Sequence, residues 1–247
     1  MIETVITADR LTKKFGDFIA TNEISFEVNK GEIFGFLGAN GAGKTTAMRM
    51  FCGLLLPSSG AATVAGFDVY KQTERIKQNI GYMSQKFSLY EDLTVKENIR
   101  FYAGIYGISH SLIKEKTEIL LKQLNLSSEA NVLVKSLPLG WKQKLAFSVA
   151  IVHEPKVVFL DEPTGGVDSI TRREFWNLIY QASEGGITIF VTTHYMDEAE
   201  YCNRVSIMVD GKIEALDTPR NLKKTFNAQS MDEVFLQLAR GAKRAGD

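Results

Sequence analysis

Gly38-Ala39-Asn40-Gly41-Ala42-Gly43-Lys44-Thr45-Thr46 is the stretch from which the rest of the chain is read. It satisfies the pattern G-x-x-x-x-G-K-[ST] in full. Ahead of it, the apolar run Glu32 to Leu37 reads as a buried strand. Behind it, Thr46 to Cys52 is free of Gly and Pro and reads as a helix. A glycine loop between strand and helix turns consecutive backbone N–H groups inward, and the helix N-terminus adds partial positive charge. That arrangement suits a triphosphate, with Gly38, Asn40, Gly41, Ala42 and Gly43 forming the cradle. Lys44 reaches toward the β- and γ-phosphates, the Thr45 hydroxyl offers an oxygen to Mg2+, and Thr46 is placed for the α-phosphate.

Chemistry on a triphosphate also needs acids opposite that loop, and the chain has two. Lys156 to Leu160 reads as a parallel strand buried on both faces, with Asp161 and Glu162 at its C-terminal end. Ligands of open α/β sheets bind at the carboxyl ends of strands, so both acids point to the phosphate site. Asp161 is the candidate Mg2+ ligand and Glu162 the base that polarises an attacking water. A second buried strand, Gly186 to Val191, runs into Thr192-Thr193-His194 and brings His194 to the same edge, in reach of a γ-phosphate. The strand Ile80 to Gln85 ends on an amide that can both ligate Mg2+ and orient a water.

Composition narrows the field. A chain of 247 residues, 45% hydrophobic, can bury a sizeable core. Its 29 basic and 29 acidic residues cancel, which leaves no whole-chain electrostatic case for nucleic acid. Two distant cysteines, Cys52 and Cys202, fit a reducing compartment rather than a disulfide framework. No apolar run approaches the ~20 residues of a membrane span, and the N-terminus has no signal-peptide layout. The expectation is a soluble cytosolic chain, which another protein would have to bring to a membrane if it works there.

The remaining segments set the architecture. Ile2 to Val28 turns like antiparallel strands, with Val5–Ala8 and Ile24–Val28 as strands and a turn at Gly16-Asp17. Phe15, just before that turn, could stack on an adenine ring or simply join a core. Leu56 to Gly60 is a turn, and Ala61 to Val69 forms short strands broken by Gly66. The apolar loop Phe87 to Leu93 is either tucked in or a docking surface. Thr94-Val-Lys-Glu97 is a capping box that starts a mostly helical stretch to Asn125, interrupted at Gly104 to Ser109. A further helix carries Leu145, Val149 and Val152 and closes before Pro155. Arg172 to Ser183 is helical, Arg204–Val209 and Lys212–Leu216 flank the hairpin turn Asp210-Gly211, and Asn221–Phe226 and Met231–Arg240 are helices before a frayed end.

From about Ile6 to Arg240 the chain resembles the ATP-binding subunit of an ABC transporter. Gly38–Thr46 matches the Walker A motif, Gln85 the Q-loop, Val157–Glu162 Walker B with its catalytic glutamate, Asp168 the D-loop and His194 the switch histidine. Phe15 stands where the family keeps its adenine-stacking aromatic. The resemblance implies an α/β P-loop NTPase: a RecA-like core with an antiparallel β-lobe and an inserted α-helical lobe. Residues 1–85 and 155–218 would form the β-lobe and core, 86–154 the helical lobe, and 219–247 the C-terminal helices. It further implies ATP and Mg2+ as ligands, a second ATP-binding domain (identical or unlike) packed head to tail, and a membrane permease that docks near the Q-loop.

One motif departs from the family. Where Leu-Ser-Gly-Gly-Gln is expected, the chain has Leu137-Pro138-Leu139-Gly140-Trp141. Pro138 replaces the serine and has no backbone N–H to donate, and Leu139 adds bulk where backbone would approach a phosphate. Leu137 and Gly140 keep the family residues, and only Gly140 and the helix N-terminus are left to offer amides. Either the site needs an unlike, better-equipped partner cassette, or the chain belongs to a subclass that closes with altered contacts. The stretch resembles that of bacterial ABC-2-type drug exporters, as does Met231 to Leu238, which favours an ABC-2-type permease as partner and the cytoplasmic face of the inner membrane as the place of work. A soluble ABC ATPase not coupled to transport, and a P-loop kinase, are the competing readings. Gln85, Asp168 and His194 speak against the kinase.

Overall fold

In the computed structural model the described residues are 3–86 and 88–245. Ile2 and Phe87, assigned above to the first strand and to the apolar loop, lie outside them, as do Gly246 and Asp247 of the end read as frayed.

The chain opens with a hairpin, β1 (Thr4–Phe15) and β2 (Phe18–Asn29). β3 (Ile33–Gly38) leads through the glycine loop into α1 (Lys44–Phe51). β4 (Ser59–Val64) and β5 (Phe67–Asp68) follow, then α2 (Thr73–Asn79) and β6 (Ile80–Met83). Helices α3 (Val95–Ile105), α4 (His110–Gln123) and α5 (Leu139–Ile151) separate β6 from β7 (Val157–Asp161). α6 (Ser169–Glu184) joins β7 to β8 (Thr188–Thr193). The hairpin β9 (Arg204–Val209) and β10 (Lys212–Asp217) precedes α7 (Pro219–Thr225) and α8 (Met231–Ala245).

Two sheets result. One is antiparallel with four strands in the order β2-β1-β4-β5. The other has six strands, β10-β9-β3-β8-β7-β6, all parallel except β10 at its edge. The strands β3, β7 and β8 are apolar without alternation because both faces are covered. Phe34, Phe36, Phe159 and Phe190 face α1 and the antiparallel sheet, where they pack with Phe26, Met48 and Phe51. Leu37, Val158, Leu160, Ile189 and Val191 face the other way, against Leu145, Phe175 and Trp176 of α5 and α6. The Phe190 ring lies 5.3 Å from both Phe36 and Phe159. Each fully buried ring contributes about 1.5–3 kcal/mol by burial alone.

Several expectations are met and several move. The Thr94 capping box is present, with Thr94 N donating to Glu97 Oε2 (2.8 Å) and Glu97 N to Thr94 Oγ1 (3.2 Å). The hairpin turn at Asp210-Gly211 has φ of 46° and 82°, as a tight two-residue turn requires. β1 continues past Val5–Ala8 to Phe15, with irregular register, because β2 pairs with it at Leu11, Lys13, Lys14 and Phe15 and β4 at Thr12. α2 was not expected: only Ile76 of its seven residues is buried, so it shows no apolar period. α6 starts at Ser169 instead of Arg172 because the Asp168 side chain caps it, accepting from Ile170 N and Thr171 N.

In the apolar loop, Leu89 is buried, while Tyr90 is exposed with its ring edge-on to exposed Phe101 at 4.7 Å. The fully buried Asn98 pins the loop, accepting from Tyr90 N and donating to Tyr90 O, each at 2.9 Å. Among the described residues no helix is long and apolar enough to cross a membrane.

Candidate functional site

Parallel register assembles the site. Leu37 pairs with Thr193 and Asp161 with Thr192, so β3, β8 and β7 end at one edge beside β6. The glycine loop leaves β3 at that edge. Gly43 has φ 103°, and a Cβ there would stand 2.2 Å from Ala20 O of β2, so only glycine fits. Ala42 O in turn accepts from Gly211 N, which ties the loop to the β9–β10 turn.

Lys44 is 4% exposed. Its Nζ donates to Gly38 O (2.8 Å) and Ala39 O (3.1 Å) and lies 3.5 Å from Glu162 Oε1. Burial pulls its pKa down, opposed by the charges of Glu162 and Asp161. Asp161 Oδ1 accepts from Thr192 Oγ1 (2.7 Å) and Thr45 Oγ1 (3.3 Å). Burial raises the pKa of Asp161, against those two hydrogen bonds, and the neighbouring Glu162 raises it further. Glu162 is a non-glycine residue at φ 49°, held there by its N–H, which donates to Thr192 O and Oγ1, both at 3.1 Å. That turn aims the Glu162 carboxylate back over the edge. Its Oε2 accepts from His194 Nδ1 (2.9 Å) and Gln85 Nε2 (3.1 Å). A carboxylate only accepts, so the His194 proton sits on Nδ1.

Lys44, Gln85 and Glu162 line an open cleft of about 520 Å3 with Asn40, Gly41, Gly43, Thr45 and Thr46, and Asp161 and His194 reach it through their bonds to Thr45 and Glu162. The volume suits a nucleotide-sized ligand. Thr45, Asp161 and Gln85 present oxygen donors of the kind a hard divalent cation takes. No group of three or more His, Cys, Asp or Glu able to hold a metal stands among the described residues, so a cation here would rely on water and phosphate for most of its shell.

Four expected residues lie elsewhere. Phe15 is half exposed at the end of β1, with Lys13 Nζ 5.1 Å from its ring, and does not line the cleft. The aromatic on the cleft wall is Phe18, its register partner across the two-residue turn, 64% exposed. Gly140 and Asp168 line a separate depression of about 320 Å3 with Pro138, Leu139 and Trp141. Leu137 is buried in the core. The Asp168 carboxylate is taken up in capping α6, its Oδ2 also accepting from Thr171 Oγ1 at 2.7 Å. A Cβ on Gly140 would meet Thr171 Cγ2 at 2.5 Å, so the packing of α5 on α6 itself demands that glycine.

Thr192 went unassigned in the sequence although it orders both acids. The available signal was its place in Thr192-Thr193-His194 at a strand end. Phe18 gave no such signal, since its position depends on the hairpin register.

The ABC transporter family model matches residues 21–165. The chain is 50% identical over 241 residues to the probable multidrug ABC transporter ATP-binding protein YbhF of Escherichia coli strain K12, covering 96% of this chain and 42% of that protein. The chain thus spans less than half the length of that relative. It is 35% identical over 219 residues to the linearmycin resistance ATP-binding protein LnrL of Bacillus subtilis strain 168, covering 88% of this chain and 70% of that one. A solved ATP-binding subunit of an ABC transporter superposes with a TM-score of 0.84 at 26% identity, covering 95% and 99% of the two chains. With the glycine loop, the paired acids and the strand-edge histidine gathered at one sheet edge, the chain belongs to the ABC transporter family as one of its ATP-binding domains.

Proposed function

We propose that this domain couples ATP hydrolysis to export, working with an ABC-2-type permease at the cytoplasmic face of the inner membrane. The observation that carries the chemistry is the position of Glu162, with one carboxylate oxygen facing Lys44 and the other held by His194 and Gln85. Lys44 and the loop amides from Asn40 to Thr46 hold the β- and γ-phosphates. Thr45, Asp161 and Gln85 would hold Mg2+, which neutralises phosphate oxygen charge when bound. Glu162 takes the proton of a water whose oxygen attacks the γ-phosphorus in line as the bond to the β–γ bridging oxygen breaks and ADP leaves, and His194 keeps that carboxylate aimed. Thr192 fixes both acids. An aromatic of the β1–β2 turn, Phe18 rather than Phe15, stacks on the base.

Leu137, Gly140 and Asp168 belong to a different contact in this reading. Gly140 and Asp168 would face the nucleotide of a second ATP-binding domain packed head to tail, with Leu137 anchoring their loop in the core. The exposed Tyr90 and Phe101 beside the Gln85 loop offer the permease an apolar surface. The names of two relatives, one multidrug and one linearmycin resistance, support drug-like cargo. A second reading rests on Pro138 and Leu139: a cassette with reduced hydrolysis that needs an unlike partner. The test is MgATP hydrolysis by the full chain together with its co-purification from native membranes. Hydrolysis with a permease in the complex is expected; hydrolysis by a chain that never associates with membranes would leave a soluble ATPase.

A further inference from the structure

The described residues contain seven buried side-chain polar atoms without a hydrogen-bond partner, and three of them sit at one junction. These are Gln143 Oε1, Arg172 Nε and Glu198 Oε2. Glu198 is fully buried. It lies in the short 3-10 segment Met196–Tyr201 that follows His194. Its Oε1 accepts from Thr164 Oγ1 at 2.5 Å and lies 3.7 Å from Arg172 Nε, too far for a hydrogen bond. Thr164 is two residues beyond Glu162 and four before Asp168. Gln143 Nε2 of α5 donates to Gly165 O of the same loop at 3.2 Å. Arg172, in the first turn of α6, lays its guanidinium over the Tyr195 ring at 4.6 Å. Tyr195 stacks beside His194, ring centroids 4.1 Å apart.

One buried carboxylate therefore touches, directly or through Arg172, the segments that carry Glu162, Asp168 and His194. A charge in this position is costly unless it is paired and its oxygens are satisfied. Here one oxygen is orphaned and the cation beside it does not close a hydrogen bond. Replacing a buried ion pair by well-packed apolar residues is often neutral or stabilising, so stability alone is weak reason for this one. Arg172 divides its guanidinium among Glu198, the Asp197 carboxylate (Nη1 to Oδ2, 3.5 Å) and the Tyr195 ring, so a closer bond to Glu198 would draw it off the other two.

We propose that Glu198 is a positioning residue that sets the Thr164–Asp168 loop against the His194 segment, so that a shift at His194 is passed to Asp168. This rests on the reading of the cleft as an ATP hydrolysis site. The test compares Glu198→Gln, which keeps shape and an acceptor for Thr164 but removes the charge facing Arg172, with wild type, His194→Ala and the double variant. The readouts are kcat and KM for MgATP, and amide hydrogen exchange over residues 162–172. Expected results are a kcat loss of about tenfold for Glu198→Gln with KM changed less than about twofold, faster exchange confined to the loop, and no further loss when it is added to His194→Ala. Thr164→Val perturbs the same junction without altering buried charge and should behave likewise, which covers the case in which Glu198→Gln fails to fold. Wild-type turnover in either variant with unchanged loop exchange, or losses that multiply with those of His194→Ala, would overturn the proposal. If wild type does not hydrolyse MgATP, the reading of the cleft fails instead, and loop exchange alone then decides for or against the junction.

Discussion

His194 Nδ1 donates to Glu162 Oε2 at 2.9 Å, and this bond fixes where the carboxylate points. The other oxygen faces Lys44 Nζ at 3.5 Å. With Gln85 Nε2 also donating to Oε2, the acid is aimed by three groups that do not themselves take up the water proton. Glu162→Gln keeps the shape and an acceptor for His194 while removing the base. It should lose about 10²- to 10⁴-fold in MgATP hydrolysis with nucleotide affinity retained. Turnover near wild type, measured as phosphate release, would mean that Glu162 is not the base.

Burial raises the pKa of Asp161 above its ordinary 3.8, more than its hydrogen bonds to Thr192 and Thr45 lower it. A carboxyl whose folded pKa is raised binds its proton more tightly in the native state. Its contribution to stability is therefore greatest below pH 3.8 and falls as pH rises through the shifted value. At neutral pH the ionised Asp161 is a liability to the fold. Asp161→Asn should raise the melting temperature without nucleotide at neutral pH, with the gain shrinking toward pH 3.8, while Mg2+-dependent ATP binding weakens. A melting temperature that falls at neutral pH would show that the Thr45 and Thr192 bonds outweigh desolvation.

Phe18 and Phe15 are register partners, yet only Phe18 lines the cleft. Stacking of a base on an aromatic ring is worth about 1–3 kcal/mol. Phe18→Ala should therefore weaken ATP binding by about 5- to 150-fold and leave binding of inorganic tripolyphosphate unchanged. Phe15→Ala should do neither. Calorimetric titration of both variants with both ligands decides between the two rings, and the reverse pattern would return the role to Phe15.

Gly140 illustrates a motif residue with an intrachain reason to exist. An added Cβ would stand 2.5 Å from Thr171 Cγ2. Alanine gains up to about 1 kcal/mol in helix propensity over glycine, but overpacking costs about 1–3 kcal/mol. Gly140→Ala should lower the urea midpoint. Thr171→Ser deletes Cγ2 and keeps the hydroxyl that bonds Asp168, so in that background the same change should become neutral or stabilising. Equal loss in both backgrounds would exclude the clash as the cause.

What could be read from the sequence followed the range of the interaction. The glycine loop, Asp161-Glu162 and His194 are local: each sits where an apolar run stops, so strand ends and chemistry are legible together. The capping box at Thr94 and the turn at Asp210-Gly211 are equally local. Phe18 was missed because its place on the wall depends on pairing with Phe15 and on where the glycine loop packs against β2. Glu198 was missed because Met196-Asp-Glu-Ala-Glu200 reads as a solvated acidic run. Only the 3-10 turn decides that Glu198 faces inward, fully buried, while the side chains of Asp197 and Glu200 stay 65% and 45% exposed. α2 carries one buried residue and so left no period to find.

Pro138 caps α5 without a side-chain hydrogen bond, and Leu139 beside it is 42% exposed. A chain in which those two positions meet a partner's nucleotide has few donors to offer, because proline has no N–H and leucine no polar side chain. Their depression is instead lined by apolar Leu139 and Trp141 together with charged Lys144 and Glu174. Closure around a second domain would then draw on apolar contact as well as on phosphate. Blocking hydrolysis with Glu162→Gln should trap that closed form, so the solution mass of this variant should double on adding MgATP. Pro138→Ser with Leu139→Gly should tighten the dimer by restoring a hydroxyl and room for backbone approach. A variant that binds MgATP yet stays monomeric would assign closure to an unlike cassette or to the permease. A dimer whose affinity ignores residues 138 and 139 would remove this loop from the nucleotide contact altogether.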